Sequence, residues 1–598
     1  MRIVRARIKN YRNLRSVDVP LGNLVALVGE NNSGKSNFLR AISLPLSLDD
    51  GGGSCSKNLS WFDINNEAKE DYYAFVEEHR EEIVRGDVGL GTLQSCIPSV
   101  SVTVDLQGDD TEGYDLKDIL AAEDDGGLVG RICYRWHVMD PLKLLECIKI
   151  LLDSEDEVQA IKMSLLPMDL FRHEIVVPDS ENGHRVSYDT LTRFKYAMLP
   201  AERDNFAASS DKLGSRALIG LLQEKLDPVG LKNIEQGYGS FLETIRTSAK
   251  LDEIINWQDY SDAPRAKEFF DDISVLPNMP AMGSILGSIR LGYGDESMAL
   301  QGLGHRNLII MAVLLNSYLI ATHDISLRVV AVEEPEAHLC INNVLLMASL
   351  FKAFGNQDCR TQLIYSTHDT EFVNKVGLER VIILHGGRAF SLRGELEPDE
   401  LCYLAKNPNT DIFKMLFSRR LVLVEGITEE LLIKSYLQTR PGLDEIKVMS
   451  FHKGYRDIIR IWKKINEGNG NKLGIVRDFD DQPKAKDEHD ALDDEQVCVR
   501  TTGSYTLEPE IVDTRDNFRL LLERYGAEYG WTGMTKDELQ ADWRSGGKAG
   551  VMLEICHDLI DGELQGFTMP RHIQEVLDFL LGLGTAVSST QGTVHDED

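Results

Sequence analysis

The chain alternates short apolar runs with longer segments in which apolar residues recur every three or four positions. Runs such as LRVVAVE at 327–333 have the length and the β-branched composition of buried strands. Apolar residues spaced by three and four in 206–272 predict helices. The run LIIMAVLLNSYLIA at 308–321 is interrupted by Asn316 and Ser317, which predicts a buried helix and not a membrane span. This mixture predicts an α/β fold.

One strand-to-helix transition contains a phosphate-binding pattern. The segment NLVALVGENNSGKSNFLRAI, 23–42, places an apolar strand before GENNSGKS and a helix after it. Glycines in such a loop let backbone amides wrap phosphates, the lysine reaches the β and γ oxygens, and the following serine binds magnesium. ATP is the expected ligand, although other nucleoside triphosphates remain open. The expected contacts are Gly29, Asn32, Gly34, Lys35 and Ser36.

The length and the net charge of the chain limit the number of domains and the kinds of nucleic-acid binding that we expect. A chain of 598 residues exceeds one hydrophobic core and predicts two to four domains. A formal charge of −32 argues against indiscriminate coating of DNA, since phosphate binding depends on Lys and Arg. Two local basic spans, 1–15 and 451–477, could still contact DNA. In the first, Arg5, Arg7 and Lys9 alternate with apolar residues, which favours a solvated strand face; the second leaves both interpretations open.

The location expected from the sequence is the cytoplasm, with no membrane partner. The N-terminus MRIVRARIKNYRN lacks the apolar core of a signal peptide. The nine cysteines form neither a CxxC pair nor a cluster with histidine, so we expect reduced thiols, with neither a disulfide framework nor a zinc site.

Four segments resemble, in order, the motifs of the ATP-binding-cassette ATPases of the SMC, RecF and OLD (overcoming lysogenization defect) group. IKNYRNLRSVDVPLGN resembles the start of these ATPases, and a Gly-rich turn, a strand ending in two carboxylates and a strand ending in histidine resemble the signature, Walker B and switch motifs. Taken singly, each has an ordinary structural explanation, such as helix capping for the turn. The last three are QGLGHRNLIIMAVLL at 301–315, LRVVAVEEPEAHL at 327–339 and QLIYSTHDTEF at 362–372.

This resemblance implies roles for three residues. Glu333 would complete the magnesium shell, Glu334 would polarise the water that attacks ATP, and His368 would sense the γ-phosphate. Because such heads hold ATP between the P-loop of one subunit and the signature motif of another, the resemblance also implies a homodimer or homotetramer. The strand ending in Pro-Ala-Glu-Arg-Asp at 194–205 has the form seen in OLD-like ATPases, whose helical insert, here 206–272, would serve dimerisation; ordinary core helices are the alternative.

Beyond the ATPase motifs, two apolar strands end in carboxylates. RRLVLVEGITEELL contains Glu425 and Gly426, and KLGIVRDFDDQ at 472–482 contains Asp478 and Asp480. In a strand, these two aspartates would point to the same face. Parallel sheets bind ligands at the carboxyl ends of their strands, so a functional site is expected there.

A Glu-Gly strand followed by an Asp-x-Asp strand resembles the Toprim fold, and a cassette head followed by Toprim is the OLD architecture, whose family includes the Gabija anti-phage nucleases. The resemblance covers essentially the whole chain. It implies a second carboxylate at Glu429, a hydroxyl-x-Glu element at Thr506 and Glu508, and a lysine at Lys548, for which Lys536 is the alternative.

The chemistry implied is two-metal hydrolysis of a phosphodiester. Two Mg²⁺ or Mn²⁺ ions would activate water and stabilise the leaving oxygen, and carboxylates are the hard ligands that these ions prefer. The implied metal ligands are Glu425, Glu429, Asp478, Asp480 and Glu508, with Ser36 at the ATP site. The implied catalytic residues are Glu425, Asp478, Asp480 and Lys548 for DNA, and Glu334 for ATP.

The domain layout predicted from these motifs has five parts. They are an ATPase N-terminal half at 1–205, a helical insert at 206–272, an ATPase C-terminal half at 273–410, a Toprim domain at 415–587 and a disordered tail at 588–598.

The leading hypothesis is an ATP-regulated, metal-dependent endonuclease that cuts double-stranded DNA in anti-phage defence. A UvrD-like helicase, or a reverse transcriptase with its RNA, is a possible partner. The alternative is a non-nucleolytic DNA-repair ATPase of the SMC/RecF type that uses Toprim as a DNA-binding module. A topoisomerase or primase is a third option, although no segment resembles a strand-passage domain.

Overall fold

The structure is a computed structural model. It describes residues 1–48, 56–108, 113–122, 127–153, 157–178, 183–201, 217–249, 280, 282–287, 289, 291–319, 325–356, 361–398, 401, 412–440, 442–443, 445–451, 455–479, 483–545 and 548–583. The chain divides into two compact units: Met1–Ala26 with Ser36–Val376, and Leu27–Lys35 with Gly377–Asp598. Among the described helices, none combines the length and the apolar character that crossing a bilayer requires. The predicted α/β fold class is confirmed.

The first unit contains an antiparallel sheet that begins with the N-terminal strand. In Arg2–Tyr11, Ala6 and Ile8 are fully buried while Arg5 and Lys9 are exposed, so the predicted solvated face is confirmed. The strand order is Leu14–Pro20, Arg2–Tyr11, Val100–Gln107, Leu128–Val138, Phe171–Val177 and His184–Arg185, with Leu120–Ala122 paired to Leu128–Val138.

The same unit contains parallel strands whose residues are almost entirely buried. Leu327–Glu333 and Thr361–Thr367 are buried at every position, as their continuous apolar runs predict. The N–H of Leu363 donates to the carbonyl of Asn23, just before the P-loop strand Leu24–Val28. The strands that pair in parallel are, in order, Thr361–Thr367, Leu327–Glu333, Phe194–Leu199 and Ser47–Leu48.

Helices surround these strands and form part of the predicted insert. Residues 217–225 are helical, and Pro228–Ser248 is an amphipathic helix with no buried residue among those described. The remainder of 206–272 lies outside the described residues, and its role in dimerisation stays a prediction. The other helices are Lys35–Ser43, Asn66–Glu78, Arg80–Arg85, Leu90–Cys96, Gly113–Leu116, Pro141–Leu152, Val158–Ile161, Tyr188–Leu191, Met282–Leu286, Leu303–Tyr318, Ile341–Gly355 and Thr370–Val376.

The second unit is built on a four-stranded parallel sheet. Its strand order is Ile446–Ser450, Arg420–Val424, Lys472–Arg477 and Val497–Thr501, and a hairpin of Val381–His385 and Arg388–Ser391 precedes it. Parallel pairing places the carboxyl ends of all four strands at one edge, which we call the carboxyl edge. This edge carries the second set of candidate residues.

Helices cover the four-stranded sheet and share its hydrophobic core. A Cβ atom on Gly474 would stand 2.3 Å from Cγ1 of Val576, so a glycine in the strand lets the last helix pack closely. The helices of this unit are Leu392–Glu395, Ile412–Phe417, Ile427–Gln438, Tyr455–Asn466, Pro483–Asp490, Leu507–Asp513, Asn517–Tyr525, Lys536–Ser545, Lys548–Ile560 and Arg571–Leu581. The tail at 588–598 lies outside the described residues.

Candidate functional site

The P-loop follows the buried strand Leu24–Val28 and is shaped by residues that tolerate unusual backbone angles. A Cβ atom on Gly29 would stand 2.3 Å from the carbonyl oxygen of Leu384, so only glycine fits there. Asn32 and Gly34 have φ angles of 67° and 108°. These are left-handed values that asparagine and glycine accept with least strain.

The P-loop lysine is held by the loop itself. Nζ of Lys35 donates to the carbonyl oxygens of Gly29 and Glu30, both at 2.9 Å, and the side chain is buried. Ser36 is exposed in the first turn of the helix Lys35–Ser43. The N–H groups of a helix N-terminus favour anions, so this turn suits a phosphate.

The predicted Walker B carboxylates lie at the end of Leu327–Glu333. Glu333 is the last residue of this strand and is buried, whereas Glu334 has a φ of 42° and donates its N–H to the carbonyl of Ser366. Oε1 of Glu334 lies 3.6 Å from Nε2 of His368. The two residues assigned to the attacking water and the γ-phosphate are therefore neighbours, and the left-handed Glu334 backbone marks a strained position.

A third carboxylate, which sequence reasoning missed, organises this pair. Oε1 of Glu336 accepts hydrogen bonds from Oγ1 of Thr367 at 2.7 Å and from the N–H of His368 at 2.9 Å. Burial raises the pKa of Glu336, and these two hydrogen bonds oppose the rise. Glu336 thus fixes the backbone that presents His368. The run of acids in EEPEA was the available signal.

The predicted signature segment forms the start of the helix Leu303–Tyr318. A Cβ atom on Gly304 would stand 2.8 Å from the carbonyl oxygen of His338, and Nδ2 of Asn307 donates to the carbonyl of Ala337. The glycine is therefore needed for the close contact between this helix and the segment that follows the Walker B carboxylates.

A cavity of about 400 Å³ in the first unit adjoins Glu333. Its wall includes the guanidinium groups of Arg12 and Arg40. Arg12 is fixed by bonds to Asp63 and Asn37. The remaining lining residues are Tyr11, Leu44, Ser56, Asn58, Leu59, Asp63, Met198 and Pro200.

At the carboxyl edge of the second unit, Glu425 and Asp478 lie just beyond the ends of two adjacent strands. Val424 and Val476 are partners in the parallel ladder. Glu425 directly follows Val424, and Asp478 lies two residues after Val476. The N–H of Asp478 donates to Oε2 of Glu425 at 3.1 Å. The structure therefore brings together the Glu-Gly and Asp-x-Asp motifs that the sequence separates by about fifty residues.

Asp478 lies just beyond a strand and not within one, and its predicted same-face arrangement with Asp480 stays a prediction. The strand Lys472–Arg477 ends one residue before Asp478, and Asp480 lies outside the described residues. Beyond the strand, Oγ1 of Thr502 accepts the N–H of Phe479 at 2.9 Å and fixes the backbone next to Asp478. Thr502 was not anticipated; a hydroxyl directly after the strand Val497–Thr501 was the only hint.

Glu429 is buried in the first turn of the helix Ile427–Gln438. Thr428 donates a hydrogen bond to Oε2 of Glu429 at 3.1 Å. A Cβ atom on Gly426 would stand 2.5 Å from that oxygen, so the Glu-Gly pair leaves room for the carboxylate. Burial raises the pKa of Glu429, and the nearby carboxylates of Glu508 and Glu425 raise it further. These three carboxylates therefore share one electrostatic environment.

Glu508 is 3% exposed in the helix Leu507–Asp513. Oγ1 of Thr506 donates to its Oε2 at 2.7 Å, so the hydroxyl-x-Glu element forms a direct contact. Lys548 begins the helix Lys548–Ile560, and its side chain lies outside the described part. Its competitor Lys536 lies 3.6 Å from Oδ1 of Asp513.

The described carboxylates at the carboxyl edge are not close enough together to form a metal site as they stand. Within the described ranges, no three His, Cys, Asp or Glu side chains are grouped closely enough to hold an ion. The donor set nevertheless suits Mg²⁺ or Mn²⁺, since all of it is carboxylate oxygen. A cation would also relieve the repulsion that raises the pKa of Glu429.

The basic span 451–477 is less available than its composition suggested. Lys463 pairs with Asp494 at 2.5 Å, Lys464 pairs with Glu395, and Arg456 lies 3.6 Å from Glu488. These acids pair with three basic side chains of the helix Tyr455–Asn466, which reduces the positive charge that its described residues offer to DNA.

A cavity of about 1220 Å³ lies elsewhere in the second unit and includes none of the predicted site residues. Its charged walls pair with one another: Arg500 bonds Asp493 and Glu575, and Arg571 bonds Glu575. We assign it no role in the chemistry.

Comparisons with known proteins identify an ATPase domain. The AAA ATPase domain family model AAA_15 matches residues 1–85 and 196–373. The chain is 20% identical over 521 residues to Endonuclease GajA of Bacillus cereus strain HuB5-5, covering 74% of this chain and 68% of that protein. It is 21% identical over 448 residues to Endonuclease GajA of B. cereus strain VD045, covering 73% of this chain and 68% of that protein.

A short segment matches more strongly. Over 42 residues the chain is 52% identical to an OLD nuclease of Thermus scotoductus, which is 7% of this chain and 8% of that protein. Among solved structures, the SMC head domain of Thermotoga maritima matches at 14% identity with a TM-score of 0.28, covering 65% of this chain and 97% of that one. The Smc head domain of Pyrococcus furiosus matches at 14% identity with a TM-score of 0.33, covering 68% of this chain and 98% of that one.

Proposed function

We propose that the protein is an ATP-regulated, divalent-metal-dependent DNA endonuclease in which residues 415–587 form a Toprim-type cutting domain. The observation that carries this proposal is the acidic group at the carboxyl edge. Glu429 and Glu508 are only 5% and 3% exposed, and Asp478 bonds Glu425 beside them. Burying several carboxylates together is costly unless a cation compensates, so such a group indicates a metal-dependent role.

The residues that would hold the ions are Glu425, Glu429, Asp478 and Glu508, with Asp480 as a further candidate. Bound divalent ions would lower the pKa of a water molecule and stabilise the charge that develops on the leaving oxygen of a phosphodiester. The chain's own contribution is to orient the ligands. Thr428 and Thr506 each donate to a carboxylate, and Glu425 holds the backbone of Asp478. Lys548 is proposed to stabilise the phosphate charge.

The ATPase motifs supply nucleotide regulation in this proposal. Glu333, Glu334 and His368 carry the roles that an ATPase needs at the γ-phosphate, and the AAA match covers all three. The distant relatives named endonucleases support DNA as the substrate. Anti-phage defence, a homodimer or homotetramer, and a helicase or reverse-transcriptase partner rest on the resemblance to the OLD family.

The decisive test is plasmid nicking in Mg²⁺ or Mn²⁺ by the wild type and by Asp478→Asn. We expect nicking by the wild type and a loss of at least a hundredfold in the variant, with ATP turnover retained because the ATPase residues are separate. The control is Asp494→Asn, an aspartate that is not among the proposed metal ligands and that pairs with Lys463. Equal nicking by Asp478→Asn and the wild type would reject the cutting site. No nicking by a wild type that hydrolyses ATP would favour the repair-ATPase alternative.

A further inference from the structure

Tyr455 stands at the carboxyl edge, although no motif includes it. The strand Ile446–Ser450 pairs in parallel with Arg420–Val424, and the N–H of Phe451 donates to the carbonyl of Val424 at 2.7 Å. The helix that follows begins at Tyr455. A third strand therefore contributes a side chain to the edge that presents Glu425 and Asp478.

The hydroxyl of Tyr455 is buried without a hydrogen-bond partner among the described residues. The residue as a whole is 3% exposed. A buried donor without an acceptor is destabilising, and native proteins rarely retain one without a functional reason.

The surroundings of this hydroxyl are acidic. The carboxylates of Glu425, Glu429 and Asp478 all lie near enough to act on it electrostatically. Burial raises the pKa of Tyr455 well above its ordinary value, and these carboxylates raise it further, against the opposing effect of Arg477. A tyrosine hydroxyl is protonated at neutral pH in any case, so it acts as a hydrogen-bond donor.

The ring of Tyr455 is held from two sides. Its centroid lies 6.1 Å from that of Phe451 and 6.1 Å, edge to face, from that of His489. Nδ1 of His489 in turn lies 3.4 Å from Nη1 of Arg477. Because these contacts restrict the ring, the hydroxyl has little freedom to turn towards solvent.

We propose that Tyr455 is a positioning residue: its hydroxyl donates one hydrogen bond to a carboxylate of the group Glu425, Glu429 and Asp478 when these side chains gather around a divalent cation. This inference rests on the proposed function, because it assumes that these carboxylates bind the ion. The buried donor gains an acceptor when the carboxylates gather around the ion. Tyr455 thereby favours the ligand geometry without touching the ion.

The test is Tyr455→Phe in the full-length protein, with Mn²⁺ binding measured by calorimetry in the absence of DNA and nucleotide. We expect the dissociation constant for Mn²⁺ to rise about tenfold, as for other groups that orient metal ligands. Thermal stability without metal should stay the same or rise, because the variant removes a buried donor that has no partner. In nicking assays, the Mn²⁺ concentration for half-maximal rate should rise, while the rate at saturating Mn²⁺ should remain near that of the wild type.

Tyr436→Phe is the matched control. It removes the same atom from a buried tyrosine, but its hydroxyl bonds Gln574 at 3.2 Å and none of the carboxylates. The control should bind Mn²⁺ like the wild type. Unchanged Mn²⁺ affinity in Tyr455→Phe would overturn the inference, as would a large loss of metal-free stability, which would indicate a structural role.

Two outcomes separate this inference from the proposed function. If the wild type binds Mn²⁺ and Tyr455→Phe binds it more weakly, but neither nicks DNA, then only the proposed cutting activity fails. If the wild type nicks DNA and both proteins bind Mn²⁺ equally, then only the role of Tyr455 fails. Absence of Mn²⁺ binding by the wild type would overturn both.

Discussion

Nδ2 of Asn469 lies 2.6 Å from Nε2 of His385. His385 ends the strand whose Leu384 carbonyl closely approaches Gly29 of the P-loop, and Asn469 lies three residues before the strand that leads to Asp478. For the amide to donate, the ring must be neutral with its proton on Nδ1, and burial favours that form by lowering the pKa of His385. One contact therefore links the nucleotide loop to the sheet of the proposed cutting site.

The first prediction follows from this link. Asn469→Ala should leave ATP binding unchanged, because the P-loop is intact, and should reduce the effect of ATP on the nicking rate several-fold, in line with coupling energies of about 0.5–2 kcal/mol along such contacts. The loss of stability should be small, about 1 kcal/mol, because the side chain is exposed.

The measurement is the ratio of nicking rates with and without ATP, alongside ATP binding by calorimetry. Asn66→Ala, an exposed asparagine at the start of the helix Asn66–Glu78, is the control and should keep the wild-type ratio. An identical ATP response in Asn469→Ala would show that the contact does not transmit regulation.

The second prediction concerns Gly426. Gly426→Ala should displace the Glu429 carboxylate, since the new Cβ would stand 2.5 Å from its Oε2 and Glu429 is buried. We expect Mn²⁺ affinity and nicking to fall tenfold or more, with ATP turnover unaffected. Calorimetry and plasmid nicking provide the measurements.

Gly550→Ala is the matched control for that substitution. A Cβ atom there would meet nothing within 4 Å, and the site lies within the helix Lys548–Ile560. Alanine should stabilise this helix by about 1 kcal/mol and leave Mn²⁺ binding alone. If the two variants behave alike, steric displacement of Glu429 is not the cause.

The third prediction separates nucleotide binding from hydrolysis. Lys35→Ala should lose most ATP affinity, because the ammonium that reaches the phosphates is removed. Glu334→Gln should bind ATP normally and hydrolyse it about 10²–10⁴-fold more slowly, because the amide cannot polarise water as the carboxylate does. ATP calorimetry and phosphate release distinguish the two. Normal hydrolysis by Glu334→Gln would remove the assignment of this carboxylate.

The sequence predicted those parts of the structure that depend on local pattern. The strand Leu327–Glu333 begins and ends where its apolar run does, and the P-loop strand and helix flank GENNSGKS as expected. Thr506 and Glu508 were chosen by resemblance and turned out to be in direct contact. Short motifs carry such information because neighbouring residues alone determine their geometry.

Features that depend on distant contacts could not be read from the sequence. Tyr455 approaches Glu425 only because Ile446–Ser450 pairs beside Arg420–Val424, and no spacing in the chain encodes that pairing. Thr502 fixes the backbone next to Asp478 from a position over twenty residues away. The two interpretations of the cationic span 451–477 could not be separated for the same reason, since its acidic partners, such as Asp494 and Glu395, lie outside it.

The last prediction concerns His572, which is the second residue of the helix Arg571–Leu581 and is 7% exposed. Neither ring nitrogen has a hydrogen-bond partner among the described residues. Burial lowers its pKa to about 4, although Glu510 and Glu575 oppose this effect. In the unfolded chain, the ring titrates near its ordinary value of about 6.5. Between those two values, the unfolded state binds more protons than the folded state, so stability must fall as the pH falls.

The contribution of His572 to stability is therefore complete above about pH 6.5 and is lost as the pH falls towards 4. The slope is about 1.4 kcal/mol per pH unit, which gives about 2 kcal/mol between pH 6.5 and 5. His572→Phe should flatten this part of the profile, measured as the urea midpoint of the second unit at several pH values. His557→Gln, which changes an exposed histidine, should retain the wild-type slope. A slope unaltered by His572→Phe would show that another group causes the acid sensitivity.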